Sequence, residues 1–416
     1  MHDGDDVNGD HRSVRALRDQ PVFVRWALAE AVTMTGTAMS FVVLPVLIFD
    51  LTGSAGWTGL VFATRLVPYL LFGLVAGPVA DRWNRRRLII GGNLIEGTLV
   101  ATVPLAAAFD VLTIAHVFGV AFLSATAYVF SDAAVFGAVP ALVPRERLAA
   151  ANGLLSTLAA AADIVGPILA GVLVATIGAA NALSLDAASF IAAAAVQSTI
   201  RSNFRRNLAP HQRSLRTQLS TAFGFIRRQR TVLVLTAVGF GNSIGIGIVL
   251  GLLVPWSVEI QGYEPDDPRL GIIYASIGVG SLIAGLVFAR LFTPARVRLL
   301  TPATVALSAA STSVMLVSIP TFAAAPVGVF AIGIMLTITT GITYRQLATP
   351  DQLTSTVNTI GRMIAAGGQP FGAAIGAAVA TITSVNGAYR AATAALTVTA
   401  LSAHMALNRH DTALAD

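Results

Sequence analysis

Apolar residues in this chain gather into long uninterrupted stretches, and the short polar segments between them are crowded with arginine. Hydrocarbon about 30 Å thick needs about 20 helical residues to cross it. On that measure the pattern predicts twelve spans, at roughly 23–49, 58–80, 88–109, 112–139, 148–176, 178–200, 231–259, 270–292, 299–319, 322–344, 353–383 and 386–407. Backbone polar groups have no partners in lipid, so a spanning segment is a helix or a strand of a closed barrel. These runs are too long and too uniformly apolar for barrel strands, which alternate. An all-α integral membrane protein is therefore expected.

The polar intervals order the spans. Residues 1–21 are a mixed-charge tail, expected to be disordered and cytoplasmic. Residues 22–200 form one six-helix bundle, 201–230 a cytoplasmic linker, 231–408 a second bundle, and 409–416 a C-terminal tail. Arginines crowd alternate segments: Arg12, Arg15, Arg18 and Arg25; Arg82, Arg85, Arg86 and Arg87; Arg145 and Arg147; a run from Arg201 to Arg230; then Arg290, Arg296, Arg298, Arg345 and Arg409. The intervening segments hold Arg269 and Arg390. Such asymmetry marks the cytoplasmic side, so both termini and the linker are expected inside. It also accounts for the net charge of +6 without a nucleic-acid partner. Within the linker, Leu215, Leu219, Phe223 and Ile226 share one helical face, which predicts a short amphipathic helix on the inner membrane surface.

Composition removes several chemistries. Hydrophobic residues make up 55% of the 416 and charged residues 12%, where a soluble domain has about 25% charged. There is no cysteine, so thiolate metal sites and disulfides are out. All 27 basic residues are arginine, which excludes a phosphate-binding loop lysine and a pyridoxal Schiff base. No metal cluster, nucleophile–base set or cofactor motif is visible, so neither an enzyme nor a bound cofactor is expected.

The second and third spans are joined by Gly77-Pro78-Val79-Ala80-Asp81-Arg82-Trp83-Asn84-Arg85-Arg86-Arg87. This resembles the G-x-x-x-D-R-x-G-R-R signature loop of the major facilitator superfamily. Asn84 stands where glycine is usual. Asparagine tolerates positive φ better than most residues, so the expectation is a turn preserved in that conformation. The second-half counterpart is degraded, with Ala289 before Arg290. Arg65-Leu66-Val67-Pro68, Phe130-Ser131-Asp132, Pro144-Arg145-Glu146-Arg147, Asp186-Ala187-Ala188-Ser189-Phe190 and Arg345-Gln346 with Asn358 and Arg362 are similar to one branch of that superfamily, the actinobacterial-type drug and siderophore exporters related to enterobactin and macrolide efflux proteins. Gly166-Pro167 and Gly171 resemble its fifth-helix antiporter motif. Gly368-Gln369-Pro370-Phe371-Gly372 echoes that motif in the eleventh span, as two parallel six-helix repeats would.

The resemblance implies the major facilitator fold, with two pseudo-symmetric six-helix bundles in the cell membrane. It also implies a gating cluster at the inner face: Asp81 near the start of the eleventh helix and Arg85 paired with Asp132, with Gly77, Arg82 and Arg86 completing the motif. Ionisable residues within a membrane are costly and are functional candidates by default. Here they are Glu30, Arg65, Glu96, Asp132, Asp163, Asp186 and Arg362, with His116 and His404. Glu30 and Asp163 are the proton-coupling candidates, because desolvation disfavours a bare carboxylate. Arg65 and Arg362 are the cavity cations. By the family's arrangement Glu96, Asp186 and His404 are structural, and His116 is interfacial. The expected activity is proton-coupled efflux, by alternating access, of a lipophilic or amphipathic molecule such as a drug, antibiotic or siderophore. Its partners would be that small molecule, protons and membrane lipids, with the chain acting as a monomer. Uptake of an organic solute and a non-transporting scaffold or sensor are the alternatives.

Overall fold

The computed structural model describes residues 20–144, 147–200 and 215–408. The N-terminal tail up to residue 19, Arg145 and Glu146, the linker as far as residue 214 and the tail from 409 lie outside the described residues.

Six long helices follow the first six predicted spans within a few residues. They are α1 (Pro21–Thr52), α2 (Ala55–Arg82), α3 (Arg85–Ala108), α4 (Ile114–Leu142), α5 (Leu148–Ile177) and α6 (Ala179–Ser198). The linker carries α7 (Leu215–Arg228). Beyond it lie α8 (Arg230–Gly251), α9 (Leu253–Glu259), α10 (Arg269–Leu291), α11 (Val297–Val314), α12 (Ala324–Ala348), α13 (Asp351–Ala366), α14 (Gly368–Ile382) and α15 (Val385–Asn408). Among the described residues, ten stretches of helix are long and apolar enough to cross a membrane. Of the two remaining spans, α11 is rich in threonine and serine, and α15 carries Asn386, Arg390, His404 and Asn408.

Two predicted spans are broken. The seventh is divided into α8 and α9 at Leu252, and the eleventh into α13 and α14 at Gly367. Proline lacks the N–H that would bond the carbonyl four residues earlier. Pro255 frees the carbonyl of Gly251, and Pro370 frees that of Ala366, next to Gly367-Gly368. Proline alone does not suffice, because Pro45, Pro104, Pro167 and Pro302 sit inside unbroken helices. At Gly178 (φ 82°) a single residue joins α5 to α6, a conformation open to glycine at little cost.

The chain divides into two compact units, Met1–Leu47 with Val67–Leu208 and Ile48–Leu66 with Ala209–Asp416. Each repeats the same packing. In the first, α3 packs on α6 and α4; in the second, α11 packs on α15 and α12. A Cβ on Gly166 of α5 would lie 2.8 Å from the Thr35 carbonyl of α1. Likewise, Cβ atoms on Gly368 and Gly372 of α14 would strike the carbonyls of Phe240 and Ile244 on α8. The fifth span thus meets the first as the eleventh meets the seventh. The second unit also takes in the start of α2, whose Gly56 and Gly59 sit against Ala373 and Ala377 of α14.

Helix α7 forms as the linker pattern predicts, but with a different buried face. Ala222 and Ile226 are buried with Val232, Val357 and Ile360, and Leu219 and Phe225 pack alongside. Phe223 is exposed. Its apolar stripe is spent on α13 and α8 rather than on lipid alone. Around the end of α9, Trp256 donates to the Met315 carbonyl (2.6 Å), Gln261 to that of Val317 (3.1 Å) and Tyr263 to that of Pro320. Arg269, one of two arginines on the arginine-poor side, is paired with Asp267 at 2.5 Å and stacks 4.1 Å above the Tyr263 ring. Its hydrogen bonds hold the Asp267 carboxyl below the usual carboxylate range.

Candidate functional site

The signature loop is a tight connection between α2 and α3, and its arginines face different partners. Asn84 has φ −73° and ψ 106°, so its backbone is extended and the expected positive φ is corrected. Its side chain caps α3, accepting from the Arg87 amide at 3.3 Å. The residue is suited here by its carbonyl oxygen, not by tolerance of a left-handed turn. Asn84→Ala is therefore expected to cost about 1 kcal/mol, and Asn84→Ser to restore it. Thermal unfolding of the two variants checks this.

Arg85 is buried, and its Nη1 donates to the Gly137 carbonyl of α4 at 2.8 Å. A Cβ on Gly137 would press into that guanidinium, so the glycine makes room for it. Arg86 donates to the Ser198 carbonyl at the end of α6 (2.5 Å). Arg82 is exposed, and Gly77 has nothing within 4 Å of the position a Cβ would take. The Asp81 side chain lies outside the described residues. Asp132 sits little more than a turn before Gly137 on α4 and accepts from the Tyr69 hydroxyl of α2 at 2.9 Å.

Glu30 is 6% exposed and turned into the packing between α1, α3 and α6. The Gln197 amide donates to its Oε1 at 2.8 Å, and the Asn93 amide donates to Gln197 at 2.9 Å. Nearly three turns further along α1, Ser40 donates to Asp186 of α6, and Gly36 lies between Glu30 and Ser40 against Asp186 and Ser189. Asp186 is 1% exposed and Glu96 is buried on α3. The α1–α6 seam is thus polar over several turns inside an apolar bundle.

Tyr128 of α4 is approached by four carboxyl groups of this unit. Asp132, Glu96, Glu30 and Asp163 all lie within electrostatic reach of it, and Glu30 and Asp132 act on each other. Its ring is 6.4 Å from that of Tyr69. Tyr69, Tyr128 and Asp163 are exposed along their helices. An aspartate exposed within a span faces water or a substrate path, because lipid would not solvate it. Helices α2, α4 and α5 therefore present one face of acid and phenol, and Glu30 stands one helix layer behind it.

The cations of the second unit are placed apart. Arg65 lies within electrostatic reach of Tyr274 on α10. Arg362 is exposed on α13 and acts on Arg345, which is buried against Gly361. Gly166, Pro167 and Gly171 are buried on α5, where Gly166 gives close approach to α1. The amides Asn93 and Gln197 and the two tyrosines escape a search for carboxylates, arginines and histidines; buried amides within spans are the signal that finds the first pair. No group of three or more histidine, aspartate or glutamate side chains among the described residues could hold a metal ion.

The model of the Major Facilitator Superfamily matches residues 26–373. Multidrug efflux pump Tap of Mycobacterium tuberculosis (strain ATCC 25618 / H37Rv) is 30% identical over 168 residues, 39% of this chain and 40% of the relative. Macrolide efflux protein A of Streptococcus pyogenes is 28% identical over 148 residues, 36% of each chain. Multidrug efflux pump Tap of Mycolicibacterium fortuitum is 27% identical over 267 residues, 61% of this chain and 63% of that one. The matched stretch spans about two fifths of the length of the first relative. Among solved structures, the nucleoside transporter NupG (D323A mutant) superposes with a TM-score of 0.78 at 12% identity, over 93% of this chain and all of that one. A bacterial homolog of the human lysosomal transporter Spinster gives 0.72 at 13% identity, over 93% and 96%.

Proposed function

This chain belongs to the Major Facilitator Superfamily, and on that premise we propose that it exports a lipophilic or amphipathic small molecule from the cell in exchange for protons. The observation that carries the reading is the convergence of Glu30, Glu96, Asp132 and Asp163 around Tyr128 in a bundle otherwise built of apolar residues. Carboxyl groups in such a setting exchange protons with whichever side the path opens to, and a phenol-lined acidic face suits an organic cation. The named efflux function of the relatives supports the direction.

In this reading Asp132 and Asp163 meet the substrate path, and Glu30 shares their field from the α1–α3–α6 seam. Arg85 and Asp81 hold the inner ends of the helices, with Arg85 and Asp132 parting when the inner side opens. Gly166 and Pro167 let α5 move on α1. Arg65 and Arg362 set the charge of the second half. Both termini and the linker lie in the cytoplasm, as the arginine asymmetry requires, and the chain acts as a monomer.

Accumulation of ethidium in an efflux-deficient bacterial host tests the proposal. Cells making the protein should retain less dye than cells lacking it, and a protonophore should erase the difference. Greater retention would indicate uptake, and equal retention across lipophilic cations and neutral drugs would favour the scaffold.

A further inference from the structure

The first unit contains a cavity of about 1080 Å³ that has no part in the acidic face. It is a groove whose walls are one face of α3 (Leu88, Gly91, Ile95, Leu99) and one face of α4 (Leu123, Ala127, Phe130). Ile95 and Leu123 are exposed on spanning helices, so the groove opens towards lipid. Its mouth is the signature loop, with Arg82, Trp83, Asn84 and Arg87 on the rim. From Leu88 to Leu99, at 1.5 Å per residue, the groove runs about 16 Å, half of a hydrocarbon core about 30 Å thick. It spans one leaflet and no more.

The rim is cationic in a selective way. Arg85 and Arg86 are engaged by the carbonyls of Gly137 and Ser198. Arg82 and Arg87 are exposed, and their guanidinium groups have no protein partner among the described residues. The positive end of α3 points at the same place, and Trp83, 65% exposed, sits where an interfacial tryptophan belongs.

We propose that this groove is a binding site for an anionic glycerophospholipid of the cytoplasmic leaflet, with the phosphate on Arg82 and Arg87 and one acyl chain along α3 and α4. Three features fit together: charge at the rim only, an apolar channel of one leaflet's depth, and an opening towards the membrane. Basic pockets between spans on the cytoplasmic side have the chemistry for such head groups. The site depends on the membrane topology and not on what the protein carries. The loop between α2 and α3 would then be held by lipid as well as by protein, so the conformational exchange of this half would respond to the anionic content of the membrane.

The test uses the purified full chain in detergent, with dioleoyl phosphatidylglycerol and dioleoyl phosphatidylcholine as probes, read by native mass spectrometry and thermal unfolding. Phosphatidylglycerol should be retained in preference and should raise the unfolding midpoint. The Arg82→Ala/Arg87→Ala double variant should weaken its retention about thirtyfold. Gly91→Phe should also abolish retention with both arginines in place, since Gly91 lines the groove and a Cβ there has nothing within 4 Å. Equal retention of both lipids, or retention unchanged in both variants that still elute as monodisperse helical protein, would overturn the proposal. Displacement of bound phosphatidylglycerol by ethidium, with efflux lost in Gly91→Phe, would overturn it too and make the groove a substrate entrance.

Discussion

Glu30→Gln is expected to abolish proton-driven efflux while leaving the protein folded and its substrate binding measurable. Glutamine keeps an oxygen at the position where Gln197 donates and removes only the exchangeable proton. Glu30→Ala is expected to do more harm, because the buried Gln197 amide would lose its acceptor at a cost of about 1–3 kcal/mol. The pair separates two roles that one variant would merge. A purely structural Glu30 gives a fully active glutamine variant and an unstable alanine variant. A coupling Glu30 gives an inactive glutamine variant with a wild-type unfolding midpoint. Efflux measured against an imposed pH gradient, together with thermal unfolding, distinguishes them. Full gradient-dependent efflux by Glu30→Gln would remove this residue from the mechanism.

The second large effect is expected at the glycines that bring helices together. Gly166→Leu should prevent stable folding, since even a Cβ there would meet the Thr35 carbonyl at 2.8 Å and Ala38 at 2.7 Å. Backbone does not move aside as a flexible side chain does, and overpacking of this kind costs upwards of about 1–3 kcal/mol. Gly372→Leu should fail in the same way against the Ile244 carbonyl of α8. Gly77→Ala should be tolerated, despite its place in the signature loop, because its surroundings are open. Yield of monodisperse protein and its unfolding midpoint report all three. A stable Gly166→Leu protein would contradict the packing described for α1 and α5.

These cases show what the sequence carries and what it hides. The bilayer fixes a length and forces helix, so the spans are readable from apolar runs alone, and their ends agree within a few residues. The interruptions at Leu252 and Gly367 are hidden, because proline interrupts those two spans and leaves others continuous, as with Gly166-Pro167 inside unbroken α5. For α7, the pattern locates the helix but not its partner: Phe223 joins the periodic stripe and is exposed, while Ala222, too small to register as part of it, is fully buried. Asn84 is legible as a departure from the family pattern, yet its reason is a helix cap that only the backbone angles reveal. Glu30 stands out as an acid within a span. Its partners do not, because Asn93 and Gln197 are neutral and Gln197 is 167 residues away.

The central claim is that movement of a lipophilic cation out of the cell is exchanged for protons. Proteoliposomes containing the purified protein and a pH-sensitive dye in the lumen test it most directly. External ethidium is added with no pH gradient imposed. Exchange requires that ethidium entry drive protons out, so the lumen should become alkaline with wild type and stay unchanged with Glu30→Gln. Ethidium entry through the wild-type protein with no change in luminal pH would contradict the account.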